Sequence, residues 1–195
     1  MPILKKVRGK IILGFVGDLA AGKGTVCAYL KKKYGCNAYR FSTMLRDVLD
    51  RMHIEKSREN LQTVSRVLRE NFGQDLLSKS IVGDVVNDPQ MIVAVEGIRR
   101  PTDVAYLEKL PGFQLIYLTA EPQLRWHRLI KRNENPGDDK KTFEQFLTDE
   151  QVEADQLIKK FGQQAKFTIN NNGNFEEFYR EMDKILARIQ NENQS

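Results

Sequence analysis

The stretch "GFVGDLAAGKGT", residues 14–25, decides the fold because it holds four glycines beside one lysine, directly after an apolar run. Its spacing, Gly17 to Gly22 followed by Lys23, matches the phosphate-loop pattern G-x-x-x-x-G-K. Glycines let consecutive backbone N–H groups turn towards an anion, and the start of the next helix adds about half a positive charge. The pattern therefore predicts a nucleoside triphosphate site in which Lys23 reaches the terminal phosphates.

One feature of this loop departs from the usual pattern. The Ser or Thr that normally follows the lysine is replaced by Gly24, and a hydroxyl comes one residue later, at Thr25. We expect Thr25 to be a ligand of Mg²⁺ together with an acid elsewhere in the chain. The residues expected to bind ATP in this loop are Gly17, Ala20, Ala21, Gly22, Lys23, Gly24 and Thr25.

Apolar runs alternate with helical patterns along the rest of the chain. Strands are predicted at 11–16, 37–41, 91–95, 113–118 and 166–169. Helical patterns are predicted over 22–34, 43–87, from Pro101, from Pro122, over 142–161 and after the turn "NNNGN", with Gly73 ending one helix. This alternation predicts an α/β fold of the P-loop NTPase type, with a five-stranded parallel sheet flanked by helices.

Composition and charge limit the classes of function. The 195 residues are 41% hydrophobic and 29% charged, as in ordinary globular proteins, and the formal charge is +5. Because the basic residues are scattered, we expect no nucleic-acid partner. The N-terminal apolar run is too short for a membrane span, so no membrane partner is expected. Cys27 and Cys36 lack metal-ligand spacing and are expected to be free thiols of a cytoplasmic protein.

Charged side chains follow the predicted strands, where ligands of parallel sheets bind. Glu96 closes the run "MIVAV" and is suited to hold Mg²⁺ or to act as a base. Arg46 follows the second strand, and Arg99 and Arg100 follow Glu96. Because arginine forks grip phosphate oxygens in pairs, we expect these arginines to hold an anionic acceptor. Spacing alone does not choose between Arg99 and Arg100.

A second set of arginines lies on the helix after the fourth strand. Arg125, Arg128 and Arg132 are spaced i, i+3 and i+7, which predicts one shared helix face. That helix leads into the polar loop "ENPGDDKK", residues 134–141.

Four segments of the chain resemble P-loop kinases. "GKGT" at 22–25 is typical of adenylate kinase and related nucleoside monophosphate kinases, and "FSTMLRDVL" at 41–49 resembles the segment before their acceptor helix. "VAVEGIRRP" at 93–101 is similar to their acidic-Gly-x-x-Arg strand end, and "INNNGNFEEF" at 169–178 resembles the last-strand turn of dephospho-CoA kinases. Nearly the whole chain resembles a group of archaeal and bacterial P-loop kinases.

The resemblance implies roles for particular residues. Arg46 matches the arginine that holds the acceptor's phosphate, and Gly97 belongs to the acidic-Gly segment of the acceptor site. Arg128 and Arg132 match lid arginines that close on the donor phosphates. The residues expected to be catalytic are Lys23, Glu96, Arg128 and Arg132, and the expected metal ligands are Thr25 and Glu96.

The resemblance also implies how the chain is divided. A single P-loop kinase domain would have a core of about 9–42, 88–130 and 160–190, an acceptor-binding helical region of about 43–87, and a short lid of about 131–142. The expected activity is ATP- and Mg²⁺-dependent phosphoryl transfer to a nucleoside or deoxynucleoside monophosphate, by a monomer or a homodimer. Two alternatives stay open: a dephospho-CoA kinase, and a non-enzymatic nucleotide-dependent switch or regulatory ATPase.

Overall fold

The computed structural model describes residues 7–134, 137–151 and 153–194. Its strands are β1 Ile11–Gly17, β2 Asn37–Arg40, β3 Ile92–Ile98, β4 Phe113–Thr119 and β5 Phe167–Asn170. They form one five-stranded sheet in the order β2-β3-β1-β4-β5, and every neighbouring pair is parallel. The predicted five-stranded parallel sheet is confirmed, with strand ends that differ from the prediction by at most three residues.

Strand β1 lies at the centre of the sheet, and all seven of its residues are buried. Ile12 and Val16 belong to the apolar cluster on one face of the sheet, whereas Leu13 and Phe15 belong to the cluster on the other. Alternate side chains of a strand point to opposite faces, so both faces are covered. Burial of each large side chain contributes about 1.5–3 kcal/mol, which explains the continuous apolar run.

The helices fill the connections between the strands. They are α1 Lys23–Tyr34, α2 Phe41–Arg51, α3 Arg58–Phe72, α4 Leu76–Asn87, α5 Pro101–Val104, α6 Pro122–Arg132, α7 Phe143–Glu150, α8 Glu153–Gly162 and α9 Phe175–Gln194. Single 3₁₀ turns cover Leu107–Lys109 and Asp138–Lys140.

The helical region predicted at 43–87 consists of three helices, α2, α3 and α4. Helix α3 begins after Ser57, whose hydroxyl accepts a hydrogen bond from the Asn60 N–H at 3.2 Å. It ends at Gly73, whose φ of 104° lies in a region that side chains disfavour, so the predicted helix end is confirmed. These three helices lie between β2 and β3 in the chain, and their role as an acceptor-binding region stays a prediction.

The single helix predicted over 142–161 is wrong, because the structure has two helices, α7 and α8, in this segment. Helix α7 starts with a capping box between Thr142 and Gln145. It ends where the Gln151 N–H bonds to the Thr148 carbonyl, three residues back, which tightens the last turn. Glu150, in that last turn, is buried, and the residue that pairs with its carboxylate is described below.

The predicted lid of about 131–142 is only partly covered, since 135–136 lie outside the described residues. Its exact extent and the division of the chain into core, helical region and lid stay predictions. Cys27 and Cys36 are both free and buried, as expected of unpaired thiols. Within the described part of the chain, no helix combines the length and apolar character that a membrane span requires.

The parallel order of the strands gathers polar residues at one edge of the sheet. Asp18 follows β1, Arg40 ends β2, and Glu96 lies near the end of β3. Thr119 ends β4, and Asn171 follows β5. Because the strands are parallel, all of these residues lie at their carboxyl ends, the edge at which such sheets bind ligands.

Candidate active site

The predicted phosphate loop joins β1 to α1 and has the backbone that its sequence requires. A Cβ on Gly17 would overlap the carbonyl oxygen of Leu118 on β4, so only glycine fits there. Ala20 and Gly22 have φ values of 60° and 110°, in the left-handed region. Ala21, between them, is buried, and its N–H donates to the Asp18 carbonyl at 3.2 Å. Alternation of this kind forms the backbone concavity that binds phosphate oxygens.

Lys23 is folded back over this loop. Its ammonium donates hydrogen bonds to the carbonyls of Gly17 and Asp18 at 2.6 and 2.8 Å. Burial lowers the pKa of Lys23 to about 8, and the neighbouring charges of Arg99 and Arg132 act in the same direction, against Glu96 and Asp18. A phosphate placed here would stabilise the charged ammonium and so raise the pKa of Lys23.

We therefore expect nucleotide affinity to fall above pH 8. A bound polyphosphate favours protonated Lys23 and raises its pKa, so binding takes up a proton once the free lysine has lost one. Affinity should be flat from pH 6.5 to 7.5 and then weaken by roughly tenfold per pH unit above the free-protein pKa. Calorimetric titration of a non-hydrolysable ATP analogue at pH 7.5 and 9.5 measures this change. Equal affinity at both values would contradict it, and Lys23→Arg, which keeps its charge, should bind alike at both.

Asn171, which follows β5 at the same edge of the sheet, supports the loop. Its side-chain amide donates to the Ala21 carbonyl at 2.9 Å, and its own carbonyl accepts a hydrogen bond from Arg128 Nη2 at 2.9 Å. A Cβ on Gly22 would press against this amide, which adds a second reason for glycine at that position. The sequence pattern "INNNGN" drew attention to this turn, but it did not single out Asn171.

Arg128 is a half-buried arginine with one unsatisfied donor. Its Nη1 is buried and finds no hydrogen-bond partner among the residues that the structure describes, while Nη2 bonds to Asn171. Burial lowers the pKa of Arg128. Buried unpaired donors are rare in native proteins, and one next to the phosphate-loop support is suited to an anionic or polar ligand. Its role at the donor phosphates stays a prediction.

Glu96 faces the first turn of α1. Its Oε1 lies 3.3 Å from Arg40 Nε, and its Oε2 lies 3.9 Å from the position of a Cβ built on Gly24. Its side chain is only 12% exposed. Thr25 lies half-buried in the same helical turn as Gly24. The predicted metal pair of Thr25 and Glu96 is therefore brought to one end of α1.

The donor set fits Mg²⁺ in the manner of nucleotide enzymes. Mg²⁺ is usually held by one or two protein oxygens together with waters and substrate phosphates. Glu96 and Thr25 supply a carboxylate and a hydroxyl beside the phosphate loop. Among the residues that the structure describes, no group of three or more His, Cys, Asp or Glu side chains could form a protein-only cage. The site therefore suits an ion shared with bound phosphates.

Asp18, inside the loop, is turned towards β4. Its carboxylate accepts hydrogen bonds from Thr119 Oγ1 at 3.2 Å and from Tyr117 Oη at 3.4 Å. The residue is only 5% exposed. Glu96, suited by its position to act as a base, and Asp18, a second carboxylate that could serve in that role, thus already have side-chain partners.

Two arginines pair with the carboxylate of Glu134, and the charge of a third acts on it. Arg40 Nη1 lies 2.8 Å from Glu134 Oε1, and Arg132 Nη2 lies 3.1 Å from Oε2. Burial alone would raise the pKa of Glu134, but the charges of Arg40, Arg132 and Arg46 outweigh it and lower that pKa. The charges of the predicted residues Arg46 and Arg132 therefore act on the same carboxylate. 

Two residues that the sequence analysis missed, Arg40 and Glu134, belong to the same cluster. Arg40 could have been found, because it ends β2 and so obeys the rule that charged residues after strands converge. The neighbouring Arg132 does not mark Glu134 as part of a site, since its other partner, Arg40, lies 94 residues away in the chain.

The loop after β3 is held by Asp103. Its Oδ2 accepts hydrogen bonds from the backbone N–H groups of Arg99 and Arg100 at 2.9 and 3.1 Å, and Oδ1 pairs with buried Arg69 at 2.6 Å. Gly97, with a φ of 83°, lies near the end of β3, where the pairing with β1 is irregular, just before this loop. Both arginine side chains are exposed, but only Arg99 is among the charges that lower the pKa of Lys23.

The shared face predicted for Arg125, Arg128 and Arg132 is wrong for Arg125. Arg125 is 1% exposed, and its guanidinium forms a two-pronged ion pair with Glu150 at the end of α7. Its Nε donates to the Ala120 carbonyl at 2.7 Å. Spacing along a helix cannot reveal that a buried acid from another helix draws one of three arginines inward.

The fold and this site define a P-loop kinase-like protein. A family model described as an AAA domain matches residues 16–146, more than half of the chain, and the chain belongs to this family. The UPF0200 protein of Hyperthermus butylicus is 28% identical over 92% of this chain and 95% of its own length. The UPF0200 protein of Methanocaldococcus jannaschii is 29% identical over 93% of this chain and 91% of its own length.

Two solved structures share the fold. Shikimate kinase from Bacteroides thetaiotaomicron is similar with a TM-score of 0.63 and 14% identity, over 92% of this chain and 98% of that one. Dephospho-CoA kinase from Campylobacter jejuni is similar with a TM-score of 0.58 and 16% identity, over 94% of this chain and 99% of that one. The predicted P-loop kinase-like fold is confirmed. Fold and family support nucleotide-dependent phosphotransfer in general, and these names establish no substrate.

Proposed function

We propose that the protein is an ATP- and Mg²⁺-dependent kinase whose acceptor is a nucleoside or deoxynucleoside monophosphate. The observation that carries this proposal is a second cationic site beside the phosphate loop. Arg40 and Arg132 pair with the Glu134 carboxylate, and the charge of Arg46, from a third element, acts on the same carboxylate. A kinase that joins two phosphorylated substrates needs two such sites, because their charges repel each other.

Each part of the site has a role in this proposal. The phosphate loop, from Gly17 to Thr25, and Arg128 would bind ATP, with Lys23 on the terminal phosphates. Arg46 on α2 and Arg99 and Arg100 after β3 would hold the acceptor, together with Gly97 near the end of β3. Arg132 interacts with both sites, because it pairs with Glu134 and its charge lowers the pKa of Lys23.

The chemistry is a single displacement at phosphorus. An oxygen of the acceptor phosphate bonds to the γ-phosphorus while the bond from that phosphorus to the β,γ-bridging oxygen breaks, and ADP leaves with the electron pair. Bound Mg²⁺ would neutralise charge on the β- and γ-oxygens, and Thr25 and Glu96 would hold it. Lys23, Arg128 and Arg132 would stabilise the charge of the transition state.

The pairing of the two site carboxylates favours a monophosphate acceptor over a hydroxyl. A sugar hydroxyl has to lose a proton, and a nearby base helps it to do so. Glu96 is engaged by Arg40, and Asp18 is engaged by Thr119 and Tyr117. A phosphate acceptor is already an anion and needs no base. Dephospho-CoA, whose acceptor is a hydroxyl, is therefore the second candidate.

A coupled assay of ADP formation tests the proposal. The panel contains ribo- and deoxyribonucleoside monophosphates, dephospho-CoA and buffer alone, each with ATP and Mg²⁺, and products are separated by ion-exchange chromatography. We expect a nucleoside diphosphate from at least one monophosphate, at a rate well above the buffer blank. Turnover with dephospho-CoA alone would establish the second candidate. ATP binding with no acceptor-dependent rate would reject the kinase and favour a nucleotide-dependent switch.

A further inference from the structure

We propose that the Glu134 carboxylate lies in the binding site of the acceptor's phosphate, and that a phosphate dianion must displace it in order to bind. This inference deepens the proposed function and rests on it for the word acceptor. It adds Arg40 to the residues that grip this anion, and it makes Glu134 a built-in competitor that selects phosphorylated acceptors.

The geometry of the cluster is that of an anion site. Arg40 ends β2, Arg46 lies on α2, and Arg132 ends α6, so three separate elements bring positive charge to one carboxylate. Glu134 uses one oxygen for Arg40 at 2.8 Å and the other for Arg132 at 3.1 Å. Arginine forks recognise carboxylates and phosphates through the same charge-assisted hydrogen bonds.

A phosphate would satisfy this cluster better than the carboxylate does. A carboxylate has two oxygens, and those of Glu134 are engaged by Arg40 and Arg132. A phosphate monoester has three terminal oxygens, so Arg46 could bond at the same time as the other two arginines. We infer that all three guanidinium groups bind the incoming phosphate once Glu134 has left.

The charges of the cluster point the same way. Arg40, Arg46 and Arg132 carry three positive charges, and Glu96 and Glu134 carry two negative ones. Displacement of Glu134 leaves an excess of two positive charges, which matches a phosphate dianion. Arg40 stays in contact with Glu96, 3.3 Å from Nε to Oε1, so it keeps its place when Glu134 leaves.

Exposure allows the exchange. The side chain of Glu134 is 27% exposed, and those of Arg40 and Arg132 are 34% and 43% exposed. Glu134 follows Asn133, which caps α6 with a left-handed φ of 44°. Its carboxylate is therefore on the surface of the fold, outside the helix that carries Arg132, and can rotate into solvent without unfolding that helix.

Selectivity follows from this competition. A neutral acceptor would have to leave Glu134 in place or expose three arginines without an anion, and both are unfavourable. A phosphate dianion replaces the carboxylate with a stronger partner. Since Glu134 is tethered beside the arginines, its effective concentration is on the order of millimolar or higher, so it imposes a real threshold on weak anions.

Calorimetric titration of inorganic phosphate tests the inference without turnover. The variants are Glu134→Gln, Arg40→Gln and the double variant, and the control is Glu108→Gln, an exposed acid beyond β3. We expect Glu134→Gln to bind phosphate about tenfold more tightly than the unaltered protein, since the competitor is gone. Arg40→Gln should weaken binding, the double variant should show no gain over Arg40→Gln, and Glu108→Gln should change affinity less than twofold.

Two results would overturn the inference. Equal or weaker phosphate binding by Glu134→Gln would show that the carboxylate organises the arginines instead of occupying their site. A full gain in the Arg40→Gln background would show a general charge effect or binding at the phosphate loop. Failure of the proposed function, seen as no phosphorylated acceptor in the assay, would leave these binding results intact, so the two failures are distinguishable. Thermal denaturation of each variant checks that all of them are folded.

Discussion

Replacement of Lys23 by alanine is expected to lower the rate of acceptor-dependent ADP formation by roughly a thousandfold or more. Lys23 donates hydrogen bonds to the Gly17 and Asp18 carbonyls of the phosphate loop, and we propose that this cation meets the terminal phosphates of a bound nucleotide. The loss should appear mostly in kcat, because the backbone of the loop still binds the nucleotide while the charge that develops on the transferred group loses its partner.

A second property separates this loss from misfolding. Burial lowers the pKa of Lys23 to about 8, so its ammonium is held at a cost to the folded protein. Its removal should leave the melting temperature unchanged or raise it. The matched control is Lys32→Ala, an exposed lysine on the same helix, which should keep both rate and stability. A rate for Lys23→Ala within tenfold of the unaltered protein would reject its assigned role.

The fold was predictable from the sequence because its signals are local. Each buried strand of a parallel sheet is covered on both faces and therefore reads as an uninterrupted apolar run, as "IILGFV" and "MIVAV" do. The phosphate loop was predictable for a similar reason. Gly17 has no room for a side chain, and Gly22 needs a left-handed backbone, so the sequence itself records the shape of the turn.

The features that could not be predicted from the sequence depend on partners that are distant in the chain. Helix α7 ends where Glu150 turns inward to Arg125, and nothing within 142–161 announces that break. The cluster of arginines at Glu134 is a second feature that depends on distant partners. Arg46 could be predicted from a resemblance, whereas Glu134 has meaning only because Arg40 and Arg132 converge on it in space. Charged residues reveal their sites by position after strands, but their pairings are set by the folded sheet.

Replacement of Arg125 by methionine is expected to lower the free energy of unfolding by about 3–5 kcal/mol, the usual cost of breaking a buried ion pair. The change leaves the Glu150 carboxylate buried without a cation, and it removes the hydrogen bond from Nε to the Ala120 carbonyl at 2.7 Å. For a chain of this length the melting temperature should fall by roughly 6–20 °C. Urea denaturation followed by circular dichroism measures the free energy directly.

The companion variants identify the cause of that loss. Arg66→Met removes an exposed arginine that pairs with Glu70 at 3.0 Å, and it should cost less than about 1 kcal/mol because water screens such pairs. The double variant Arg125→Met/Glu150→Met removes both buried charges and should recover most of the stability. If the double variant were as unstable as Arg125→Met alone, the loss would come from the packing of α6 rather than from the unpaired carboxylate. Recovery would show that the unpaired carboxylate causes the loss of stability. It would also show that two apolar side chains at these positions hold α7 against α6 as well as the ion pair does.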